Sequence, residues 1–140
     1  MRKDLRPEEL GDLLEQPRLA ILATRFADGE ILLSPVWHEW ADGGFTIVIV
    51  RDDVKERHLR RDSRASAVVA EEVHPSRSIE VRGRAELAGS PSPELLRRLS
   101  VRYLGDAEGE RYFRSLRADE MTVVRLAPGV LRAWDYRDGV

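Results

Sequence analysis

The 140-residue sequence contains no cysteine. This absence excludes disulfide bonds, thiolate nucleophiles, iron–sulfur clusters and zinc sites with thiolate ligands. No apolar run approaches the roughly 18 residues of a membrane span, and the first residues lead into no apolar stretch of a signal peptide. We therefore expect a cytoplasmic protein with no membrane partner.

An excess of charge of one sign is also lacking. The 23 basic and 25 acidic residues give a formal net charge of −2, and the sequence pI is about 6.0. Nucleic-acid-binding domains are usually strongly basic. The aromatic residues, three each of Trp, Tyr and Phe, offer few surfaces on which bases of a single strand would stack. The composition therefore argues against a nucleic-acid partner.

Catalytic motifs are absent as well. The three histidines, His38, His58 and His74, are separated by 20 and 16 positions, so no two have the spacing of metal ligands on one element. The sequence has no nucleophile elbow, Walker loop or dinucleotide-binding glycine motif. We expect no metal site and no catalytic side chain. An enzyme with this sequence would take its reactive atom from a cofactor.

Short apolar runs between turn signals predict seven strands. Asp28-Gly29 and Asp42-Gly43 are typical of tight hairpins, so the first three strands form an antiparallel meander. The expected strands are 19–24, 31–40, 45–50, 65–70, 78–87, 121–126 and 130–136. Helical patterns cover 7–15 and 53–61, begin again after Ser92, and recur around Tyr112 and Leu116.

This order of elements predicts a mainly β fold, a six- to seven-stranded antiparallel β-barrel with peripheral helices. We expect a single domain over 1–140, with an N-terminal helix within 1–16 and a helical insertion at 90–117. The run 45–50 is apolar on both faces and should lie in the middle of a covered sheet. Pro35 requires an edge, a bulge or a ladder position that faces away from a neighbour.

The charged segment 51–62 follows the most apolar strand. In a helix, Arg51, Lys55 and His58 would lie along one face, and cations at a strand-to-helix junction form an anion site. A phosphate bound there would be repelled by Asp52 and Asp53 unless these point away. The alternative is a solvated helix held by ion pairs between successive turns. The charge pattern alone leaves both readings open.

The order and spacing of several segments resemble those of the pyridoxamine 5′-phosphate oxidase-like split-barrel family, and more narrowly its flavin/deazaflavin oxidoreductase branch. The resemblance covers roughly residues 10–137. The segments that carry it are 19–24, 28–29, 34–37, 55–62, 79–87 and 132–136. It implies an FMN-binding split barrel that forms a homodimer with two cofactor sites at the subunit interface. FMN is the usual cofactor of the family, and coenzyme F420 is usual in the branch.

The resemblance also implies roles for individual residues. Lys55 corresponds to the lysine that binds the cofactor phosphate. The strand whose backbone lies along the cofactor ring corresponds to Ser34, Pro35, Val36 and Trp37. The strand end beside the ribityl chain corresponds to Ile49, Val50 and Arg51. The facing strand reaches the cofactor at Arg77 and Ser78. Trp134 corresponds to the aromatic residue that closes the pocket, from the same or the other subunit.

Some positions depart from the family pattern. The family often has serine or threonine near positions 49 and 53, arginine at 54 and asparagine at 58. This sequence has Ile49, Asp53, Val54 and His58 there. These changes remove phosphate donors, for which Arg51, Arg57 or Arg61 could substitute. His38 follows Trp37, where an aromatic or aliphatic residue is common, so we expect a different substrate face.

The sequence therefore predicts an oxidoreductase that transfers hydride between F420, or alternatively FMN, and a small organic substrate. The other hypothesis is a barrel that carries a flavin, a deazaflavin or haem without turnover. The sequence does not distinguish F420 from FMN, and it does not identify the substrate.

Overall fold

The computed structural model describes residues 2–137, and only the backbone of Arg2 and Lys3. This part of the chain forms nine strands and three α-helices. The strands are β1 (Arg2–Lys3), β2 (Ala20–Arg25), β3 (Ile31–Val36), β4 (His38–Ala41), β5 (Gly44–Val50), β6 (Arg64–Ala70), β7 (Arg77–Leu87), β8 (Met121–Leu126) and β9 (Val130–Asp135). The helices are α1 (Val54–Arg61), α2 (Pro93–Leu104) and α3 (Asp106–Ser115).

The strands form an antiparallel sheet that curls on itself. Their hydrogen-bonded order is β3-β2-β6-β7-β8-β5-β4, and β9 pairs with β7 and β1 beside this path. β3 and β4 follow one another in the chain but lie at opposite ends of the order. The sheet must therefore bend until its two ends meet at Trp37, which joins these strands. This arrangement confirms the mainly β, split-barrel prediction.

β7 connects the two halves of the barrel. One edge pairs with β6, while the other pairs with β9 over 77–82 and with β8 over 85–87. Gly83 lies where the partner changes, and a Cβ there would be 2.5 Å from the carbonyl oxygen of Ala127. Only glycine allows the backbone to approach this closely.

The barrel interior is apolar. Its fully buried side chains include Leu10, Leu13, Leu22, Phe45, Ile47, Val69, Ile79, Val81, Val124 and Leu126. The alternation of β7 is confirmed, because Ile79 and Val81 are buried while Arg82 and Arg84 are exposed. β5 lies between β4 and β8, which confirms a covered position for this apolar strand.

The α2–α3 hairpin covers the outer face of β5 and β8. Ser92 caps α2 as predicted, since its Oγ accepts a hydrogen bond from the Leu95 N–H at 3.1 Å. Leu95 and Leu99 pack on Val48 and Val123 in a second, smaller apolar cluster. This hairpin forms one side of the site described below.

Three local predictions need correction. The segment 31–40 is not one strand, because pairing changes from β2 to β5 at Trp37. The predicted helix 7–15 is two 3-10 turns, Pro7–Leu10 and Leu13–Glu15, separated at Gly11, whose φ is +61°. β1, which pairs with β9, was not predicted. Pro35 lies on the edge strand β3, as expected.

Within residues 2–137, no helix has both the length and the apolar character needed to cross a membrane.

Candidate functional site

A cavity of about 260 Å³ lies where the end of β5, the first turn of α1 and the α2–α3 hairpin meet the β3–β4 junction. Most of its wall is apolar, with a small number of polar groups, which is typical of sites for small molecules and cofactors. The lining residues are Pro35, Val36, Trp37, Val48, Ile49, Val50, Asp53, Lys55, Leu96, Leu99, Ser100, Tyr112, Leu116 and Met121.

Stacked aromatic rings form one side of the cavity. Trp37 lies parallel to Tyr103, with ring centroids 4.8 Å apart, and meets Tyr112 at 5.5 Å and 61°. The Tyr103 hydroxyl donates to the Arg18 carbonyl at 2.7 Å and accepts from the His38 N–H at 2.9 Å. These hydrogen bonds fix Tyr103, which in turn fixes the plane of Trp37. The barrel seam, where β3 and β4 meet at Trp37, therefore presents a preorganised aromatic surface.

Two charged side chains lie at the edge of the cavity. Asp53 caps α1, with Oδ1 2.7 Å from the Val54 N–H, and its Oδ2 lies 2.7 Å from the Lys55 Nζ. The Lys55 hydrogen bond keeps the pKa of Asp53 below its ordinary value, so this carboxylate is ionised at neutral pH. Asp52 points outward toward Arg60. Asp53 instead points toward Lys55, where a bound phosphate would meet its charge.

A buried carboxylate holds the turn that presents this pair. Glu56 accepts a hydrogen bond from the Asp52 N–H at 3.1 Å and another from the Thr122 hydroxyl, and it pairs with Arg60. Asp52 has a φ of +64°, so the turn needs such a fixed contact. The Thr122 hydrogen bond is the main reason that the pKa of Glu56 is lowered. Sequence reasoning missed this role.

We expect Glu56→Gln to lower the free energy of unfolding by about 1–2 kcal/mol at neutral pH, because a buried charge-assisted network becomes neutral. Since folding lowers the pKa of Glu56, its contribution is present above the unfolded pKa and is lost as the pH falls below it. Urea unfolding of wild type and variant measures the difference. The exposed Glu86→Gln is the matched control, and an equal effect of both would contradict the assignment.

Six of the predicted cofactor residues lie together in the cavity wall: Pro35, Val36, Trp37, Ile49, Val50 and Lys55. Ser34 is adjacent, but its side chain is buried and does not line the cavity. Arg51 precedes α1 and donates to the Ser90 Oγ at 2.8 Å. Their roles toward a cofactor remain predictions.

The predicted face of Arg51, Lys55 and His58 does not form. Arg51 lies outside the helix, which begins at Val54. His58 is buried, with Nδ1 2.9 Å from the Thr24 Oγ1, and burial lowers its pKa. Of these three residues only Lys55 lines the cavity. Arg60 pairs with Asp52 and Glu56, as in the ion-paired helix, and the anion site at Lys55 stays a prediction.

Arg77 lies on the interior face of β7, away from the cavity wall. Its guanidinium binds both oxygens of Glu71, at 2.8 and 2.7 Å. It also donates to the Leu10 carbonyl and to Asp12. These bonds tie the N-terminal turns to β7. Within one chain, Arg77 therefore stabilises the fold and does not contact the cavity.

Ser78 and Trp134 are opposite one another on the outer face of β7 and β9. The Trp134 ring is covered by the Arg132 guanidinium, 4.7 Å from its centroid. Neither lines the cavity of its own chain.

The α2–α3 part of the wall was not predicted as a site, because an apolar helical stripe is also the pattern of ordinary core packing.

Comparison with known proteins relates this fold to a family. The family sequence profile described as pyridoxamine 5′-phosphate oxidase matches residues 7–135. Among solved structures, a conserved hypothetical protein from Mycobacterium tuberculosis is 26% identical over 95% of this chain and 86% of its own, with a TM-score of 0.76. An F420 reductase is 23% identical over 90% of this chain and 98% of its own, with a TM-score of 0.72.

A FAD- and haem-binding protein from Mycobacterium smegmatis is 19% identical over 96% of this chain and 73% of its own, with a TM-score of 0.69. No curated protein matches the chain significantly. The family profile spans most of the sequence, including the strands and the charged segment that surround the cavity. The chain therefore belongs to the pyridoxamine 5′-phosphate oxidase family.

Proposed function

We propose that this protein binds coenzyme F420, with FMN as the alternative, and transfers hydride between this cofactor and a small organic substrate. The observation that carries the proposal is the cavity at the barrel seam, where an apolar and aromatic wall ends at Lys55. The fold shared with an F420 reductase supports the choice of a deazaflavin.

The residues present fit such a cofactor. The apolar side chains and the stacked Trp37 suit a planar ring, and the Lys55 ammonium suits the anionic tail. The bound cofactor would supply the hydride donor or acceptor. Among the described residues that line the cavity, Tyr112 and Ser100 have hydroxyl groups, and none is a histidine or cysteine. The chain therefore acts by binding, orientation and exclusion of water, which is what hydride transfer requires of a protein.

A second copy of the chain would complete the site. The outer face of β3, β2 and β6 has a partly exposed apolar region, which we call the sheet face: Ile21, Ala23, Ile31, Leu33, Pro35 and Val68. Pro35 belongs both to this face and to the cavity wall. Ser78 and Trp134 lie on the same face by register. A homodimer joined here would bring these two residues toward its partner's cavity.

We expect wild type to scatter light as a dimer of the 16.0 kDa chain. Leu33→Glu should weaken the dimer at least about tenfold, because an exposed leucine (63%) of the sheet face becomes a charge in an apolar contact. Cofactor affinity should fall with it. Val73→Glu is the matched control, because Val73 is 79% exposed but lies outside the sheet. A monomeric wild type with full cofactor affinity would refute the interface.

Titration with F420 and FMN, followed by ring fluorescence, tests the cofactor assignment directly. Incubation with reduced F420 and a panel of enones and quinones then tests turnover. Oxidation that depends on the protein and on one of these acceptors supports the oxidoreductase. Tight binding without oxidation would favour the carrier hypothesis, and no binding of either cofactor would reject the proposal.

A further inference from the structure

The charged edge of the cavity has no net charge. Of the described residues that line the cavity, only Lys55 and Asp53 carry a formal charge, and these two charges cancel. Their charged atoms are 2.7 Å apart. An anion that reaches the Lys55 ammonium therefore also meets the Asp53 carboxylate.

Asp53 is held in this position by the backbone. Its Oδ1 accepts a hydrogen bond from the Val54 N–H at the start of α1, and its Oδ2 accepts one from the Lys55 ammonium. The Lys55 hydrogen bond also lowers the pKa of Asp53, so proton uptake does not remove the charge near neutral pH. The carboxylate is thus a fixed feature of the cavity.

Nearby arginines do not supply a second positive charge to the cavity. Arg51 is hydrogen-bonded to Ser90, Arg57 donates to the Asp52 carbonyl at 2.6 Å, and Arg61 donates to the Arg25 carbonyl. None of the three lines the cavity. The expected substitution of these arginines for the missing phosphate donors is therefore not seen in the described part of the chain.

We propose that Asp53 is a specificity-determining residue that makes the cavity select a cofactor whose group at Lys55 is singly charged, a phosphodiester, over a doubly charged phosphomonoester. This inference rests on the proposed function. The cost of removing an ion from water rises with the square of its charge, whereas an ammonium paired with a carboxylate returns less attraction for each added charge than an unpaired ammonium would. F420 has a phosphodiester and FMN has a phosphomonoester, so Asp53 favours F420.

The test uses three ligands that share the same isoalloxazine ring system and differ in the charge of the side chain: riboflavin is uncharged, the monomethyl ester of FMN is singly charged, and FMN is doubly charged. Fluorescence titration at about pH 8 keeps the phosphomonoester doubly charged. Asp53→Asn preserves the helix cap and removes the carboxylate charge. Wild type should bind the methyl ester more tightly than FMN. The variant should bind the ester about threefold and FMN about tenfold more tightly, because the gain in interaction energy is proportional to ligand charge, while riboflavin is unchanged.

Asp52→Asn is the matched control. It removes the same charge one residue away, from a side chain that points out of the cavity, and asparagine tolerates the φ of +64° at this position. Its affinities should stay within about twofold of wild type for all three ligands.

Equal gains for all three ligands in Asp53→Asn, or a wild type that binds FMN as tightly as its ester, would overturn the inference and leave the proposed function standing. If wild type binds F420 but none of the flavins, the variant must gain measurable affinity for FMN, and without that gain the inference is overturned. Failure of both proteins to bind any flavin or F420 would instead reject the proposed function, and this inference with it.

Discussion

Lys55→Ala should weaken F420 binding by roughly 1–3 kcal/mol, or about 5- to 150-fold in Kd, because a charge-assisted contact with the phosphate is lost. The structure adds a second reason for a large effect. Removal of the ammonium leaves the Asp53 carboxylate without its partner at 2.7 Å, so the wall changes from neutral to negative. Equilibrium titration by ring fluorescence measures the change.

Two controls separate a phosphate contact from a general loss of the site. The F420 ring fragment that lacks the phosphate should bind wild type and Lys55→Ala equally well. Lys55→Ala combined with Asp53→Asn should recover part of the lost affinity, because the repelling carboxylate is gone. Unchanged F420 affinity in the single variant would show that Lys55 does not contact the anionic tail.

His38→Leu should make the protein less sensitive to acid. His38 is fully buried beside Phe45, at 5.2 Å between ring centroids, and neither ring nitrogen has a hydrogen-bond partner among the described residues. The neighbouring Arg18 carbonyl accepts from Tyr103 instead. Burial lowers the pKa of His38 to about 4, since the charged form would be desolvated.

The sign of the effect follows from this pKa. The unfolded chain binds a proton at His38 with the ordinary histidine pKa of about 6.5, and the folded chain does so only with a pKa of about 4. The stabilisation is therefore complete above pH 6.5 and is lost as the pH falls toward 4. This group should cost the wild type about 2 kcal/mol of unfolding free energy between about pH 7.5 and 5.

Urea unfolding at both pH values tests the prediction. In His38→Leu this part of the pH dependence should vanish. The variant should also gain about 1–2 kcal/mol at neutral pH, because two unpaired nitrogens are replaced by an apolar side chain. His58, whose pKa is also lowered by burial, titrates in the same direction in both proteins and cancels in the comparison. An identical pH dependence in wild type and variant would place a hydrogen-bond partner on the His38 ring.

Features of the fold that depend on local periodicity could be predicted from the sequence. The alternation in 78–87 and the apolar run 45–50 each determine how one strand is buried, whatever its partners are. The break at Trp37 could not be predicted, because 31–40 is compatible with one strand. It arises from the exchange of β2 for β5 as partner, which is a property of the closed sheet.

The candidate site also has a part that could be predicted from the sequence and a part that could not. The resemblance pointed to Lys55 and to the seam at Pro35 and Trp37, which the structure brings together in one cavity wall. The orientation of Asp53 depends on its capping contact with Val54, which a charge pattern does not show. The α2–α3 wall was hidden for a different reason. Its leucines serve both the packing against β5 and β8 and the lining of the cavity.

The double pairing of β7 determines when the chain can fold during synthesis. Its second edge and the inner edge of β5 are filled only by residues 121–135, which are translated after β4 and β6, the other strands that pair with β5 and β7. A nascent chain that lacks this segment exposes backbone donors and acceptors on β5 and β7, a state prone to intermolecular pairing. We therefore expect truncations before β8 to aggregate, and the cavity to form only after β8 leaves the ribosome.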